Sequence, residues 1–178
     1  MKTSIMAAAV VALLTTCTNK TGGKENAADV PLALPSDMTL RKRAEKFRWY
    51  SDRWNDNNHH IVVYAYTGDR VDAEEVIRKR DSVMQQNIKG ENDSMYVRTV
   101  KQGLQQRKIL VNGDSVTEIR GSWEMTSDAM GGPFISHVRR DKAHRIIIVA
   151  EGFVYAPGHN KEAMLQRIEN ILRTYKAK

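Results

Sequence analysis

Alternation of hydrophobic and polar residues along the chain predicts four regions of β-structure. Aromatic and β-branched residues are concentrated in FRWYSDRW and HHIVVYAYT, and the turn-forming residues 55–58 separate these two stretches. Asn112 and Gly113 lie between two further β-prone runs, which is the strongest short-range signal for a hairpin. PFISHVRR is predicted to pair with RIIIVAEGFVYAP through a polar turn at 141–144. We therefore expect an antiparallel sheet.

The segment after Gly113 alternates between two kinds of position. Its core-type positions are Thr117, Ile119, Gly121, Trp123 and Met125. Its polar positions are Glu118, Arg120, Ser122 and Glu124. Because successive side chains of a strand point to opposite faces, we expect one buried face and one solvated face. The charges on the second face are interpreted as an ordinary cross-strand ladder.

The segment RIIIVAEGFVYAP differs because it is apolar at both sets of alternate positions. One set is Ile147, Val149, Phe153 and Tyr155, and the other is Ile146, Ile148, Ala150 and Val154. A strand of this kind belongs in a sheet that is covered on both sides.

Two segments have the period of an amphipathic helix. In residues 73–88, apolar residues recur at helical spacing, and Asp72 followed by Glu75 predicts an N-terminal cap. In residues 161–175, Met164, Ile168, Ile171, Leu172 and Tyr175 form one stripe. The predicted order is strands, a helix, several antiparallel strands and a second helix. This order predicts an α+β domain, an antiparallel sheet with two amphipathic helices.

Composition and length fit one folded domain, which we place at residues 37–178. The chain has 178 residues, of which 41% are hydrophobic and 28% are charged. The formal net charge is +7, or +6 without residues 1–16, and it is spread along the chain. A moderately basic domain is attracted to polyanions in general, so the compartment must decide among the partners.

The N-terminal stretch predicts export and a lipid anchor. Lys2 precedes an apolar run from Ile5 to Leu14 that is too short to span a bilayer, as in a signal peptide. Residues 14–17 resemble a lipobox, in which Cys17 becomes the acylated first residue; Thr16 departs from the usual small residue before the cysteine. The alternative is an ordinary signal peptide with an incidental cysteine. No other cysteine is present, so an intramolecular disulfide is excluded.

These features predict a location and a set of partners. Residues 1–16 are the signal peptide, and residues 17–36, which are small, polar and rich in Pro and Gly, are a flexible tether. The expected location is the cell envelope, with the outer membrane favoured over the inner. The membrane itself, an envelope protein, or an anionic glycan or lipid are the expected partners. Export argues against nucleic acid, although aromatic and basic residues alternate in RKRAEKFRWYSDRW.

The sequence predicts no catalytic residue, metal site or cofactor. The five histidines are His59, His60, His137, His144 and His159. No two of them have i, i+4 spacing on a predicted helix, so they are interpreted as solvated or sheet-edge residues. No motif of a serine nucleophile is found.

Two charged residues occupy apolar positions. Glu151 interrupts the most apolar strand, and Arg80 interrupts the apolar stripe of the first helix. A buried carboxylate needs a donor or must be neutral, so we expect a buried Arg80–Glu151 ion pair. A structural role is favoured over a functional site for this pair.

The stretch MGGPF is the remaining candidate site. Gly131 and Gly132 are interpreted as residues with unusual backbone angles at a turn or bulge, with Pro133 as the first residue of a strand. The alternative is a turn whose backbone a ligand approaches closely.

Four stretches of the chain together resemble a known family. They are IRKRDSVMQQNIKG, EIRGSWEM, MGGPFISHVRRD and RIIIVAEGFVYAPGHNKEAMLQRIENIL. From Pro35 to Tyr175 the chain is similar to the C-terminal half of a lipoprotein family of the Bacteroidetes, domain of unknown function 4837. The resemblance implies a lipid-anchored envelope protein and no particular reaction. Members of the family are longer, with another region before this one.

The order of the elements also resembles the α/β/α sandwich of Mog1 and photosystem II subunit P proteins. We expect a non-enzymatic binding or assembly module. An envelope hydrolase that uses a carboxylate is the alternative, and a purely structural component is the third hypothesis. A deep polar pocket around Glu151 and Arg80 favours the enzyme, whereas a shallow apolar patch favours the binding module.

Overall fold

Hairpins and two helices make up the described part of the chain. The computed structural model describes residues 28, 30–52 and 58–175. The elements are β1 Met38–Ala44, β2 Phe47–Asp52, β3 Asn58–Thr67, α1 Ala73–Asn87, β4 Val97–Val111, β5 Asp114–Met125, β6 Gly131–Asp141, β7 Ile146–Tyr155 and α2 Glu162–Arg173. The strands form one antiparallel sheet in the order β1-β2-β3-β7-β6-β5-β4. The α+β class, with an antiparallel sheet and two helices, is confirmed.

The predicted hairpins form where local turn chemistry favours them. Asn112 and Gly113 have φ values of 53° and 88°, the left-handed conformation that a two-residue hairpin turn requires. Val111 pairs with Asp114 directly across this turn. At the other hairpin, β6 pairs with β7 from Asp141 and Ile146 onward.

The strand β7 lies at the centre of the sheet, and both of its faces are buried. Val149 and Phe153 belong to a hydrophobic cluster beneath α1, here called the α1-side core. Ala150 and Val154 belong to a cluster beneath α2, the α2-side core. The doubly apolar pattern of this strand therefore reflects a sheet with one helix on each face.

The helices begin and end close to the predicted residues. The Asp72 carboxylate accepts a hydrogen bond of 2.9 Å from the Glu75 backbone N–H, which caps α1 as predicted. From α1, the side chains buried against the sheet are Val76, Arg80 and Met84. From α2, they are Ile168, Ile171 and Leu172.

Two parts of the sheet were not predicted. The strand β1 has no clear alternation, and β4 begins at Val97, well before the predicted hairpin. A bulge interrupts the β4–β5 pairing between Val100 and Gln105, and Gly103 within it has a φ of 76°. The bulge breaks the two-residue period from which strands are predicted, so the sequence pattern is lost there.

The N-terminal segment that the structure describes lies on the domain. Val30, Leu32 and Leu34 pack against the α2-side core, and the Ala33 N–H donates to Thr174 Oγ1 at 2.9 Å. This part of the predicted tether is therefore in contact with the folded domain. The predicted signal peptide and Cys17 lie outside the described residues. Among the described residues, no helix has the length and apolar character needed to cross a membrane.

Candidate functional site

The structure brings the two misfit charges together beneath α1. Arg80 Nε lies 2.9 Å from both carboxylate oxygens of Glu151, and Arg80 Nη2 lies 2.8 Å from Oε1. Both side chains are fully buried. Ser136 Oγ donates to Glu151 Oε2 at 2.7 Å, and Arg80 Nη1 donates to Thr99 Oγ1 at 2.9 Å. The pair links α1 to strands β4, β6 and β7.

The surroundings of this pair stabilise its charged form. The Arg80 guanidinium lies 4.2 Å from the centre of the Phe134 ring, a cation–π contact. Burial acts to lower the pKa of Arg80, but the charge and hydrogen bonds of Glu151 outweigh it and raise the pKa. Burial, with the nearby Glu151 charge, raises the pKa of Tyr64 well above its usual value. Because the pair is closed to solvent, no substrate reaches it in this conformation.

An open cleft lies between α1 and β4, next to the buried pair. Its volume is about 710 Å³. The apolar side chains that line it are Ala73 and Ile77 of α1, Leu104 of β4 and Ile119 of β5. Charged residues at its margin are Glu74, Arg78, Asp81 and Lys101. An apolar floor with a charged margin is typical of a surface that binds another protein.

The β4 bulge shapes this α1–β4 cleft. Within the bulge, Leu104 lies over Gly121, and a β-carbon added to Gly121 would come within 2.6 Å of Leu104 Cδ2. The missing side chain of Gly121 therefore lets Leu104 reach the floor of the cleft. On the opposite wall, Asp81 Oδ1 accepts from the N–H and Oγ1 of Thr99, at 2.9 and 2.6 Å, and lies 3.4 Å from Arg80 Nη1. Asp81 thus connects the cleft to the buried ion pair.

A second, polar cleft lies on the α2 side of the sheet around Glu118. Its volume is about 460 Å³. Arg107 Nε and Arg120 Nε each donate to Glu118 Oε1 at 2.7 Å, and His137 Nε2 lies 3.3 Å from Oε2. Arg120 Nη2 also donates to Glu169 Oε2 of α2 at 2.6 Å.

This cluster corrects the predicted solvated face of β5. The side chain of Glu118 is fully buried, because Arg120 and α2 cover it and His137 lies beside it. Burial acts to raise the pKa of Glu118, but hydrogen bonds from Arg120 and Arg107 outweigh it and lower the pKa to about 2. Burial lowers the pKa of His137, against the opposing effect of Glu118. Glu118 is therefore ionised at neutral pH and cannot act there as a general acid.

Acid should remove the stabilisation that Glu118 provides. A carboxylate with a lowered pKa in the folded state stabilises the fold above its unfolded value, near 4.5, and this contribution is lost as the pH falls towards 2. We expect the urea midpoint of the wild type to fall across this window, and that of Glu118→Gln to fall less steeply. The pH dependence of the free energy of unfolding should differ between the two proteins by the equivalent of up to about one bound proton per molecule. Glu124→Gln, on the same strand face, is the matched control, and a Glu118→Gln slope equal to that of the wild type would contradict the assignment.

The glycines of MGGPF begin β6 and contact this chain's own backbone. Neither Gly131 nor Gly132 has a positive φ, so the predicted unusual backbone angles are wrong, and Pro133 is the third residue of the strand. A β-carbon on Gly132 would lie 2.0 Å from the carbonyl oxygen of Val154. The Trp123 indole N–H donates to the same oxygen at 3.1 Å. The close approach at Gly132 is therefore made by the neighbouring strand and an indole.

The histidines occupy more varied positions than predicted. His144 and His159 are exposed, whereas His59 and His137 are buried, which corrects the expectation that all were solvated or at a sheet edge. His60 accepts from the Trp49 indole at 3.1 Å, and burial, with the charges of His59 and Arg41, lowers its pKa to about 3.

A further polar cluster joins Asp37, the residue before β1, to β2, β3 and α2, with Arg167 Nη1 lying 4.0 Å from Asp52 Oδ2. His59 Nδ1 contacts Asp52 Oδ2, and Arg167 Nη2 lies 2.6 Å from both oxygens of Asp37.

Across residues 28, 30–52 and 58–175, no group of three or more His, Cys, Asp or Glu side chains has the arrangement of a metal site.

Sequence reasoning missed the Glu118 cluster and the α1–β4 cleft. Glu118 alternates in a regular way with apolar residues, so nothing local marks it as buried. It is covered by Arg107 and by Arg120, which Glu169 of α2 holds in place, and both Arg107 and Glu169 are distant from it in sequence. The sole local signal for the cleft was Gly121, a glycine inside a strand, which often marks a close approach.

Comparisons with known proteins give a match to a family model and matches to solved structures. The model of the family described as Domain of unknown function (DUF4837) matches residues 18–174, so the resemblance predicted for Pro35 to Tyr175 is confirmed and extends further toward the N-terminus. No curated protein matches the chain. Among solved structures, the chain is similar to a point mutant of the protein Mog1, with 12% identity and a TM-score of 0.48. That alignment covers 82% of this chain and 88% of the Mog1 chain.

Proposed function

This chain belongs to the DUF4837 family, and we propose that it is a lipid-anchored binding module of the cell envelope. Cys17 carries the lipid, and the folded domain binds an envelope protein through the α1–β4 cleft. The domain acts by binding and not by catalysis.

The complete burial of the Arg80–Glu151 pair is the main observation that supports this proposal. Both side chains are fully buried, and each has a partner besides the other, so they offer no polar pocket to a substrate. The cavity beside them is instead an open cleft with an apolar floor at Ile77 and Leu104. Between an enzyme and a binding module, these features support the module.

The carboxylates of the polar cleft also argue for binding over hydrolysis. Burial acts to raise the pKa of both Glu118 and Glu169, but hydrogen bonds from arginines outweigh it and lower the pKa of each. Hydrolysis by a pair of carboxyl groups needs one group with a raised pKa that donates a proton. Two carboxylates that are both held ionised do not supply that acid.

Photo-crosslinking in the producing cells tests the proposal. A crosslinking residue at Gln105, which lines the cleft, should form discrete adducts with an envelope protein, whereas one at the exposed Lys142 in the β6–β7 turn should not. Ile77→Lys should abolish the Gln105 adducts, because it places a charge in the apolar floor. Cys17→Ala should remove fatty-acid label and reduce the adducts.

Two results would contradict the proposal. The same adducts at Gln105 and Lys142 would rule out the cleft as the binding surface. Absence of fatty-acid label on the wild type, or equal label on Cys17→Ala, would rule out the anchor. Circular dichroism of Ile77→Lys is the control that the variant retains its fold.

A further inference from the structure

The strand β4 is an unusually long edge strand for a sheet of this size. It runs for 15 residues, from Val97 to Val111, and pairs with β5 on one side. Within residues 28, 30–52 and 58–175, no strand pairs with its other side. A free strand edge presents backbone N–H and C=O groups to which another extended chain can add.

The bulge at 101–104 divides this edge into two parts. The part after the bulge, residues 105–111, is regular and pairs with β5 without interruption. Its seven residues match the usual length of a strand. Leu110 in this part is 72% exposed, and Ile109 is half-buried. The regular part of the edge therefore offers both backbone groups and apolar surface.

The charges of β4 are of one sign. The strand contains four basic residues, Arg98, Lys101, Arg107 and Lys108, and no acidic residue. Arg98 is paired with Glu124, and Arg107 with Glu118. In the described part of the chain, no carboxylate forms an ion pair with Lys101 or Lys108. The edge thus keeps positive charge that neighbouring residues do not neutralise.

This charge selects among the chains that could add to β4. If two copies of this chain paired through β4, Lys101 and Lys108 of each would face a basic strand, and like charges opposite one another are destabilising. A segment with acidic residues would place opposite charges there. The α1–β4 cleft opens at this same edge, because Lys101, Leu104, Gln105 and Gln106 line it.

We propose that an extended acidic segment of the partner protein adds to the sheet as an eighth strand beside residues 105–111. One apolar side chain of the segment enters the α1–β4 cleft, and its carboxylates face Lys101 and Lys108. This inference rests on the proposed binding function and specifies the chemistry and the conformation of the partner.

The chain itself provides a place to attach a test segment. Asn112, which follows β4, donates through Nδ2 to the carbonyl oxygens of Arg173 and Tyr175, at 3.0 and 2.8 Å. A segment fused after Lys178 through a Gly/Ser linker of about ten residues would therefore start close to the end of β4 and run antiparallel to it. The linker raises the effective concentration of the segment to the millimolar range, so weak pairing becomes measurable.

The experiment compares three fusions of the full chain by amide hydrogen exchange. The fused segments are eight residues with Glu and Val alternating along one strand face and Thr along the other, the same with Lys in place of Glu, and a Gly/Ser segment. With the Glu/Val segment, outward-facing amides of residues 105–111 should exchange about tenfold more slowly than with Gly/Ser. With the Lys/Val segment they should not. The double variant Lys101→Glu/Lys108→Glu should weaken the Glu/Val protection by about tenfold, whereas Lys142→Glu should not.

Each other outcome overturns the proposal. Equal exchange in all three fusions would show that the edge does not accept a strand. Equal protection by the Glu/Val and Lys/Val segments would show that charge does not select the partner. Protection of β4 in the Gly/Ser fusion that rises with protein concentration would show that a second copy occupies the edge. If Gln105 still forms crosslinks but none of the fusions protects β4, strand addition is wrong and the proposed binding function is not affected.

Discussion

Glu151→Ala should lower the free energy of unfolding by about 3–5 kcal/mol, the largest effect expected for a single truncation in this protein. The reason is that Arg80 would remain fully buried without its counter-ion, and Ser136 would lose its acceptor. Urea denaturation followed by circular dichroism measures the change. If the alanine variant does not fold, Glu151→Gln, which keeps a hydrogen-bond acceptor without the charge, should still fold and lose about 2–3 kcal/mol.

A double replacement distinguishes the cost of leaving a buried charge unpaired from the cost of lost packing. Arg80→Met combined with Glu151→Leu replaces both charges by apolar groups, so it should cost clearly less than Glu151→Ala alone. The exposed pair of Arg98 and Glu124 is the matched control, and Glu124→Ala should cost less than about 1 kcal/mol. If Glu151→Ala costs no more than Glu124→Ala, the buried pair does not stabilise the fold.

Gly132→Ala should destabilise the protein by about 3 kcal/mol, at the upper end of overpacking effects. The added β-carbon would lie 2.0 Å from the Val154 carbonyl oxygen, so the backbones of β6 and β7 would have to separate. Separation would also disturb the hydrogen bond from the Trp123 indole to that oxygen. Chemical denaturation gives the loss of stability, and near-ultraviolet circular dichroism should report a changed environment of Trp123.

Gly152→Ala gives a matched comparison, because there the obstacle is a side chain. Its β-carbon would lie 2.2 Å from Ile168 Cγ2 of α2. Adding Ile168→Ala should therefore relieve part of the Gly152→Ala strain, and the two changes should not be additive. Val154→Ala should give no such relief to Gly132→Ala, since a carbonyl oxygen remains in place. Full additivity of Gly152→Ala and Ile168→Ala would contradict the contact between this strand and α2.

The fold was predictable wherever the signal was local. The hairpin at Asn112 and Gly113 follows from residues that favour positive φ, and the cap at Asp72 follows from a carboxylate placed next to free N–H groups. The central place of β7 follows from its two apolar faces. By contrast, the start of β4 was missed, because the bulge with Gly103 interrupts the two-residue period.

The two buried charge clusters show that a site, too, is predictable only where the local sequence pattern marks its residues. Arg80 and Glu151 were noticed because each interrupts an apolar pattern, so the pattern itself pointed to burial and to a need for a partner. Glu118 sits where a polar residue is expected, and its burial depends on Arg120 and on Glu169 of α2. No local pattern carries information about that cover.

The sequence by itself determined the type and order of most elements, the two-sided burial of β7 and the charges that need partners, because these depend on periodicity and backbone sterics over a few residues. Tertiary structure alone decided which strands form the edges, which carboxylate is covered, and which glycines are required. These properties depend on contacts such as Arg120 with Glu169, or Gly132 with Val154, between residues far apart in the chain. The free edge at β4 and the cleft beside it arise from such contacts.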